Sequence, residues 1–223
     1  MADVSLKISV AGSGQVSAFW TVPKTTEAAD LVFVYAPGAG SGLSDPFGAH
    51  LATTLASEGI ATLRFQFPFM EAGRSTPDRN PVLEATWNAA IEAARERAPA
   101  LVVGGRSMGG RIASQVVAEG ADVAALALFA YPLHPVGRPA NRRDEHLGAI
   151  DVPVLFCSGT RDAFAAPEEL EASAAGMRAS TFHFLVDADH GFNVPRAKGL
   201  SRNDIWSEAC LALLSFLTTL DES

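Results

Sequence analysis

The chain has 223 residues, 48 % of them apolar and 19 % charged, with a formal net charge of −8. Such a composition can bury a large core and excludes a disordered chain; the acidic balance, without a basic cluster, excludes binding to nucleic acid. No apolar run reaches the roughly 18 residues that span a bilayer, and the opening residues lack a basic segment followed by a long apolar one, so neither a membrane partner nor secretion is expected.

Residues 4–10 and 15–23 alternate apolar and polar around Gly12-Ser13-Gly14, which predicts an antiparallel hairpin. The pattern then changes to short, almost continuous apolar runs at 31–35, 60–65, 101–103, 124–129, 152–156 and 181–186. Strands buried on both faces have this character, so a parallel sheet covered by helices is expected. Helical periodicity lies between the runs at about 45–58, 81–98, 108–119 and 167–177, and again at about 202–220. Pro81 and Pro167 fall at first-turn positions, where proline is tolerated. Six strand–helix alternations after the hairpin make eight strands, read as one doubly wound domain over residues 1–223. Only residues 130–151 separate the sixth and seventh strands, too few for a lid domain, so the site should be open. Cys157 in a strand-like run and Cys210 in a helical one read as buried thiols rather than a disulfide, which fits a cytoplasmic location.

The chemistry concentrates after the run Leu101-Val102-Val103, which leads into Gly105-Arg106-Ser107-Met108-Gly109 and then a helical stretch. G-x-S-x-G between a strand and a helix is the setting of a serine nucleophile elbow, where a sharp turn leaves no room for a β-carbon on either flank. A serine hydroxyl needs a base, and the base needs an orienting group. Of the five histidines, His190 follows the last strand run in a loop, at the sheet edge where such sites form. His183 lies within that strand, His50 in a helix, and His134 and His146 in the 130–151 connection. Asp162, in the turn after the seventh strand, is the acid expected to orient His190. Asp187 and Asp189 adjoin the histidine in sequence and read as solvated loop carboxylates.

Two backbone N–H groups should face the developing oxyanion: that of Met108, directly after the serine, and one from Ala36-Pro37-Gly38-Ala39-Gly40, most simply Ala39. The glycines at 38, 40 and 42 do not make a dinucleotide fingerprint, because Leu43 stands where the third glycine belongs, and neither glycine-rich segment carries the lysine of a phosphate loop. No Cys/His cluster has zinc spacing, so no cofactor or metal is expected. Phe67, Phe69, Phe164 and Phe192 lie near strand ends, as lining for an acyl pocket or as plain packing. Arg106 is either a carboxylate anchor for an acidic substrate or, as is expected, a partly buried guanidinium paired with Glu145. No role is assigned to His146.

The segments Gly38-Ala39-Gly40, Gly104 to Gly109, Tyr131-Pro132-Leu133-His134-Pro135, Arg143-Asp144-Glu145-His146-Leu147, Pro153 to Gly159 and Asp189-His190 carry a resemblance running from about residue 30 to the end. On these segments the chain resembles the α/β-hydrolases, and specifically a small lidless subgroup. That subgroup includes testis-expressed protein 30 and the hydrolase-like domain of the third regulatory subunit of the NSL chromatin complex. The resemblance implies an eight-stranded, mostly parallel sheet with an N-terminal antiparallel hairpin, helices on both faces and no lid. It also implies a Ser107–Asp162–His190 triad with Met108 and Ala39 as oxyanion donors. Pro37 stands where many relatives have histidine.

The expected activity is hydrolysis of small carboxylic esters or thioesters through an acyl-enzyme, by a monomer or homodimer. The alternative is an interaction module that keeps the scaffold with little or no turnover.

Overall fold

The structure is a computed structural model and describes residues 2–23 and 31–220. Strands β1 (Ala2–Val10) and β2 (Gly14–Val22) form the hairpin, paired from Ala2↔Val22 to Val10↔Gly14. Gly12 and Gly14 turn the chain with φ of 72° and 82°, values that favour glycine. Strands β3 (Leu31–Ala36), β4 (Ala61–Phe65), β5 (Ala100–Arg106), β6 (Ala125–Phe129), β7 (Val154–Gly159) and β8 (Ser180–Leu185) complete one sheet in the order β1-β2-β4-β3-β5-β6-β7-β8. β2 runs antiparallel to both of its neighbours, and every later pairing is parallel.

Period-two alternation on these strands feeds two cores. Val32, Val34, Leu101 and Val103 face helices α3 (Asn80–Arg95), α4 (Met108–Ala118) and α5 (Pro167–Ala174). Phe33, Tyr35, Val102 and Ala127 face α1 (Pro46–Ser57) and α6 (Arg202–Leu220). Both faces of the central strands are therefore dry, which is why their sequences read as unbroken apolar runs. Cys157 and Cys210 are both buried free thiols in the second core.

Local differences from the sequence expectations have physical causes. α3 ends at Arg95 rather than near residue 98, because Pro99 disfavours helical geometry in the residue before it. β5 runs on through Gly104 and Gly105, which carry no apolar side chain to mark them. A β-carbon on Gly104 would lie 2.3 Å from the Ala127 carbonyl oxygen and 2.9 Å from the Phe33 ring, so a glycine lets that ring occupy the space.

The crossover from β6 to β7 contains one 3-10 turn, Leu147–Ala149, and no α-helix. Tyr131, Leu133, Leu147 and Ile150 of this connection are buried in the first core and do the covering that a helix would do. A short helix α2 (Pro68–Glu71) after β4, unmarked by periodicity, begins at Pro68. No lid domain stands over the carboxyl ends of the strands among the described residues.

Candidate active site

β5 ends at Arg106, α4 begins at Met108, and the whole reversal falls on Ser107, with φ 51° and ψ −118°. A non-glycine residue in this region is strained, and it persists only where its surroundings over-determine it. Here the Ser107 N–H donates to the Phe129 carbonyl at 2.8 Å, and the Trp87 indole donates to the Gly109 carbonyl at 3.0 Å, pinning α4 to α3. The flanking glycines are compulsory. A β-carbon on Gly105 would sit 2.5 Å from the Ala36 carbonyl oxygen, and one on Gly109 would sit 2.3 Å from that oxygen and 2.6 Å from that of Pro37.

Ser107 Oγ lies 2.9 Å from His190 Nε2, and His190 Nδ1 lies 2.7 Å from Asp162 Oδ2. An ionised carboxylate only accepts, so Nδ1 carries the ring proton and Nε2 is left free to accept the serine O–H. The Asp162 side chain is fully buried, and its other oxygen accepts the Phe164 N–H at 2.8 Å. The imidazole keeps 22 % of its surface exposed, so the chain of hydrogen bonds runs from a dry carboxylate to an accessible hydroxyl.

Asp187 and Asp189 do not reach the imidazole. Asp187 pairs with Lys198. Asp189 is no idle solvated group: its Oδ1 accepts the Gly191 and Asn193 N–H groups at 2.8 and 2.9 Å and braces the turn that carries His190. The other histidines are engaged elsewhere, His50 with Ser207, His183 with Glu208 and His134 with Glu169.

Met108 N–H is the first of α4 and has no carbonyl a turn earlier to bond. Gly38 lies against the serine: a β-carbon there would make ordinary contact with Ser107 Cβ at 3.5 Å. Ala39, next to it, is half-buried at the start of a cleft of about 670 Å³ walled by Phe19, Leu43, Gln66, Met70 and Arg74. Gln66 fixes this wall, accepting the Leu43 N–H at 3.0 Å and donating to Glu71 at 2.6 Å. Glu71 also accepts from Lys7 at 2.6 Å and from the Ser17 N–H at 2.8 Å. Lys7 foremost, then Gln66 and Ser17, hold its carboxyl down to about 2 against the opposing cost of burial.

The four phenylalanines separate. Phe67 and Phe69 are fully buried in the first core and Phe192 in the second, so none presents surface to a substrate. Phe164 alone stands at the site, its ring centroid 4.1 Å from that of His190.

Arg106 does not pair with Glu145, which is exposed. Residues 102, 104 and 106 alternate onto the α1/α6 side of the sheet, whereas the connection bearing Glu145 packs on α4. Arg106 instead donates to the His190 carbonyl at 3.1 Å and approaches Asp45 at 4.0 Å. Its side chain is only 17 % exposed, and the guanidinium lies between the His190 carbonyl, Asp45 and the Phe192 ring.

The segments that carried the subgroup resemblance are fasteners. Tyr131 donates to the Arg143 carbonyl at 2.7 Å, and the His146 Nε2 meets Ser114 Oγ on α4 at 2.7 Å. Burial foremost, then the nearby Arg111, lowers the pKa of His146 and favours the neutral ring. The His134 backbone N–H donates to the Phe164 carbonyl at 3.1 Å, fixing the main chain of the residue whose ring flanks His190. Among the described residues no group of three or more His, Cys, Asp or Glu is arranged to hold a metal ion, and no helix is long and apolar enough to cross a membrane.

The α/β-hydrolase domain family matches residues 29–218, most of the chain. The protein belongs to the α/β-hydrolase family. Solved structures share the arrangement at low identity. Est1E from Butyrivibrio proteoclasticus superposes with a TM-score of 0.77 at 16 % identity, over 98 % of this chain and 99 % of that one. The esterase domain of a Rhodothermus marinus protein gives 0.73 at 17 %, over 97 % and 98 %. A serine hydrolase without a lid from Xanthomonas campestris gives 0.72 at 17 %, over 97 % and 95 %. At these identities the likeness is one of fold.

Proposed function

We propose that the protein is a serine hydrolase that cleaves small carboxylic esters or thioesters through an acyl-enzyme. The observation that carries this reading is the unbroken chain from Asp162 through His190 to Ser107, at 2.7 and 2.9 Å, with the serine at a strained strand-to-helix turn. Ser107 Oγ attacks the carbonyl carbon while its proton passes to His190 Nε2. Asp162 holds the ring in the required tautomer and stabilises the imidazolium. The negative charge on the carbonyl oxygen is met by the N–H groups of Met108 and Ala39. Collapse breaks the bond to the leaving oxygen or sulfur, which takes the proton from His190. Water then attacks the acyl-enzyme, giving its proton to the same nitrogen, and Ser107 is restored as the acid departs.

The cleft that begins at Ala39 is the space open to one limb of the ester, with Phe19, Leu43 and Met70 as its apolar wall. Phe164 covers the imidazole. Names of fold neighbours such as the Rhodothermus esterase domain agree with this chemistry. The finer likeness, to the subgroup of testis-expressed protein 30, rests on the Tyr131–Pro135 and Arg143–Leu147 segments. The buried thiols suit a reducing cytoplasm, where the domain would act as monomer or homodimer.

A fluorophosphonate probe tests the proposal: it should label the wild-type protein at Ser107 within minutes and leave Ser107→Ala unlabelled. Ester hydrolysis should fall by about 10³-fold or more in that variant. A folded wild-type protein that neither takes the label nor hydrolyses any p-nitrophenyl ester would instead be a scaffold module.

A further inference from the structure

We propose that Arg106 is a positioning residue, a buried strut that holds the His190 backbone and ties the turn bearing the base to the loop bearing the oxyanion donor. This inference rests on the triad reading above. His190 sits in a turn bounded by Asp187 and Phe192, both non-glycine residues at positive φ, 60° and 58°. Such a turn stores strain and needs external restraint to keep one geometry. Restraints on this turn include the Thr160 hydroxyl on the Asp187 N–H at 2.8 Å, the Arg161 N–H on the Ala188 carbonyl at 2.9 Å and the Arg202 guanidinium on Asn193 at 2.8 Å, with Asp189 bracing it from within. At His190 itself, Asp162 holds the ring and Arg106 holds the main chain, through Nη2 to the carbonyl oxygen at 3.1 Å.

The far side of the same guanidinium faces Asp45 Oδ1 at 4.0 Å, and its carbon lies 5.4 Å from the centroid of the Phe192 ring. Asp45 caps α1, accepting the Gly48 N–H at 3.1 Å and the Tyr35 hydroxyl on its other oxygen. It therefore anchors the loop that starts at Pro37 and carries Ala39. One side chain, placed by the same strand whose next residue is the serine, spans from the base to the donor loop.

The arrangement is poor as a stabilising device. Arg106 Nε and Asp45 Oδ1 are both buried without a hydrogen-bond partner. A buried pair in that condition can be replaced by uncharged groups at little cost to stability, whereas removing one partner leaves a stranded charge. What the guanidinium supplies that an apolar side chain cannot is the bond to the His190 carbonyl.

The test is Arg106→Met combined with Asp45→Asn, which removes the charge on both sides and leaves an amide oxygen to cap α1. For p-nitrophenyl acetate, kcat should fall about 10- to 100-fold, the scale of a sub-ångström to one-ångström misplacement of a base. KM should stay within about twofold, and the midpoint of thermal unfolding should hardly move. Arg106→Lys, which keeps a donor and a charge, should recover part of the loss. Amide hydrogen exchange of residues 187–193 should speed up in the double variant and not elsewhere. Wild-type kcat in the double variant would overturn the proposal, as would a loss that only follows a fall in the folded fraction. If the wild-type protein hydrolyses no ester, the functional reading fails and exchange alone decides the strut: faster exchange at 187–193 supports it, unchanged exchange overturns it.

Discussion

Replacing Gly109 with alanine puts a methyl group where the chain has left none to spare. The new β-carbon would lie 2.3 Å from the Ala36 carbonyl oxygen, 2.7 Å from its carbonyl carbon and 2.6 Å from the Pro37 carbonyl oxygen. Ordinary contact begins near 3.4 Å, so one partner must yield by about 1 Å. All three neighbours are main-chain atoms, so no side chain can rotate away. α4 is in turn pinned by the Trp87–Gly109 hydrogen bond at 3.0 Å. The strain therefore falls on the end of β3 and the loop to Ala39.

Overpacking of this kind typically costs about 1–3 kcal/mol, and the rigidity of these neighbours places Gly109→Ala at the upper end. A displaced donor should also lower turnover about 100-fold. Urea unfolding followed by circular dichroism gives the first quantity. The rate of fluorophosphonate labelling at low temperature, where the variant is fully folded, gives the second. Wild-type values for both would show that the elbow tolerates a β-carbon and that the packing argument is wrong.

Asp162→Asn should lower kcat by about 10³- to 10⁴-fold with little change in KM, because an amide N–H facing His190 Nδ1 forces the ring proton onto Nε2, where it cannot accept from Ser107; steady-state kinetics on a p-nitrophenyl ester checks this. Met70→Trp should narrow the cleft beside Ala39 and lower kcat/KM for p-nitrophenyl hexanoate at least 10-fold relative to the acetate, since each buried methylene is worth about 0.8 kcal/mol. An unchanged ratio would place the acyl chain elsewhere. Glu71 has its carboxyl lowered from 4.5 to about 2, so the stability it confers is present above pH 4.5 and is lost as pH falls toward 2. The shift corresponds to about 3 kcal/mol at most, and screening of this partly exposed group reduces that to about 1–2 kcal/mol. The difference in unfolding free energy between wild type and Glu71→Gln should thus shrink across that interval; a constant difference would refute the assignment.

Much of the architecture was legible because its determinants are local. Alternation marked the hairpin and continuous apolar runs marked the buried parallel strands. Helices followed apolar periodicity, with Pro167 opening α5 and the stretch at about 202–220 coinciding with α6 (Arg202–Leu220). The β6–β7 crossover was harder, because Tyr131, Leu133, Leu147 and Ile150 bury themselves without helical spacing.

At the site, residue type and position relative to a strand end singled out Ser107, Asp162 and His190, and the structure brings these three into one hydrogen-bonded chain. Which partner a charged side chain takes is a different matter. Arg106 turned to Asp45 and the His190 carbonyl, and Asp189 turned inward to brace its own turn. The parity of β5 puts Arg106 on the same face as Val102, but that the connection bearing Glu145 covers the opposite face is set by its packing on α4. Burial of Phe67, Phe69 and Phe192 had no signal in the sequence.

Local pattern, then, specified the strands, the glycine-flanked turn and the order of the polar groups along the chain, because hydrophobic period and backbone sterics act over a few residues. The tertiary structure alone decided which face each loop covers, which partners Arg106 and Asp189 take and where the cleft opens, because those depend on contacts between segments that only the sheet order brings together.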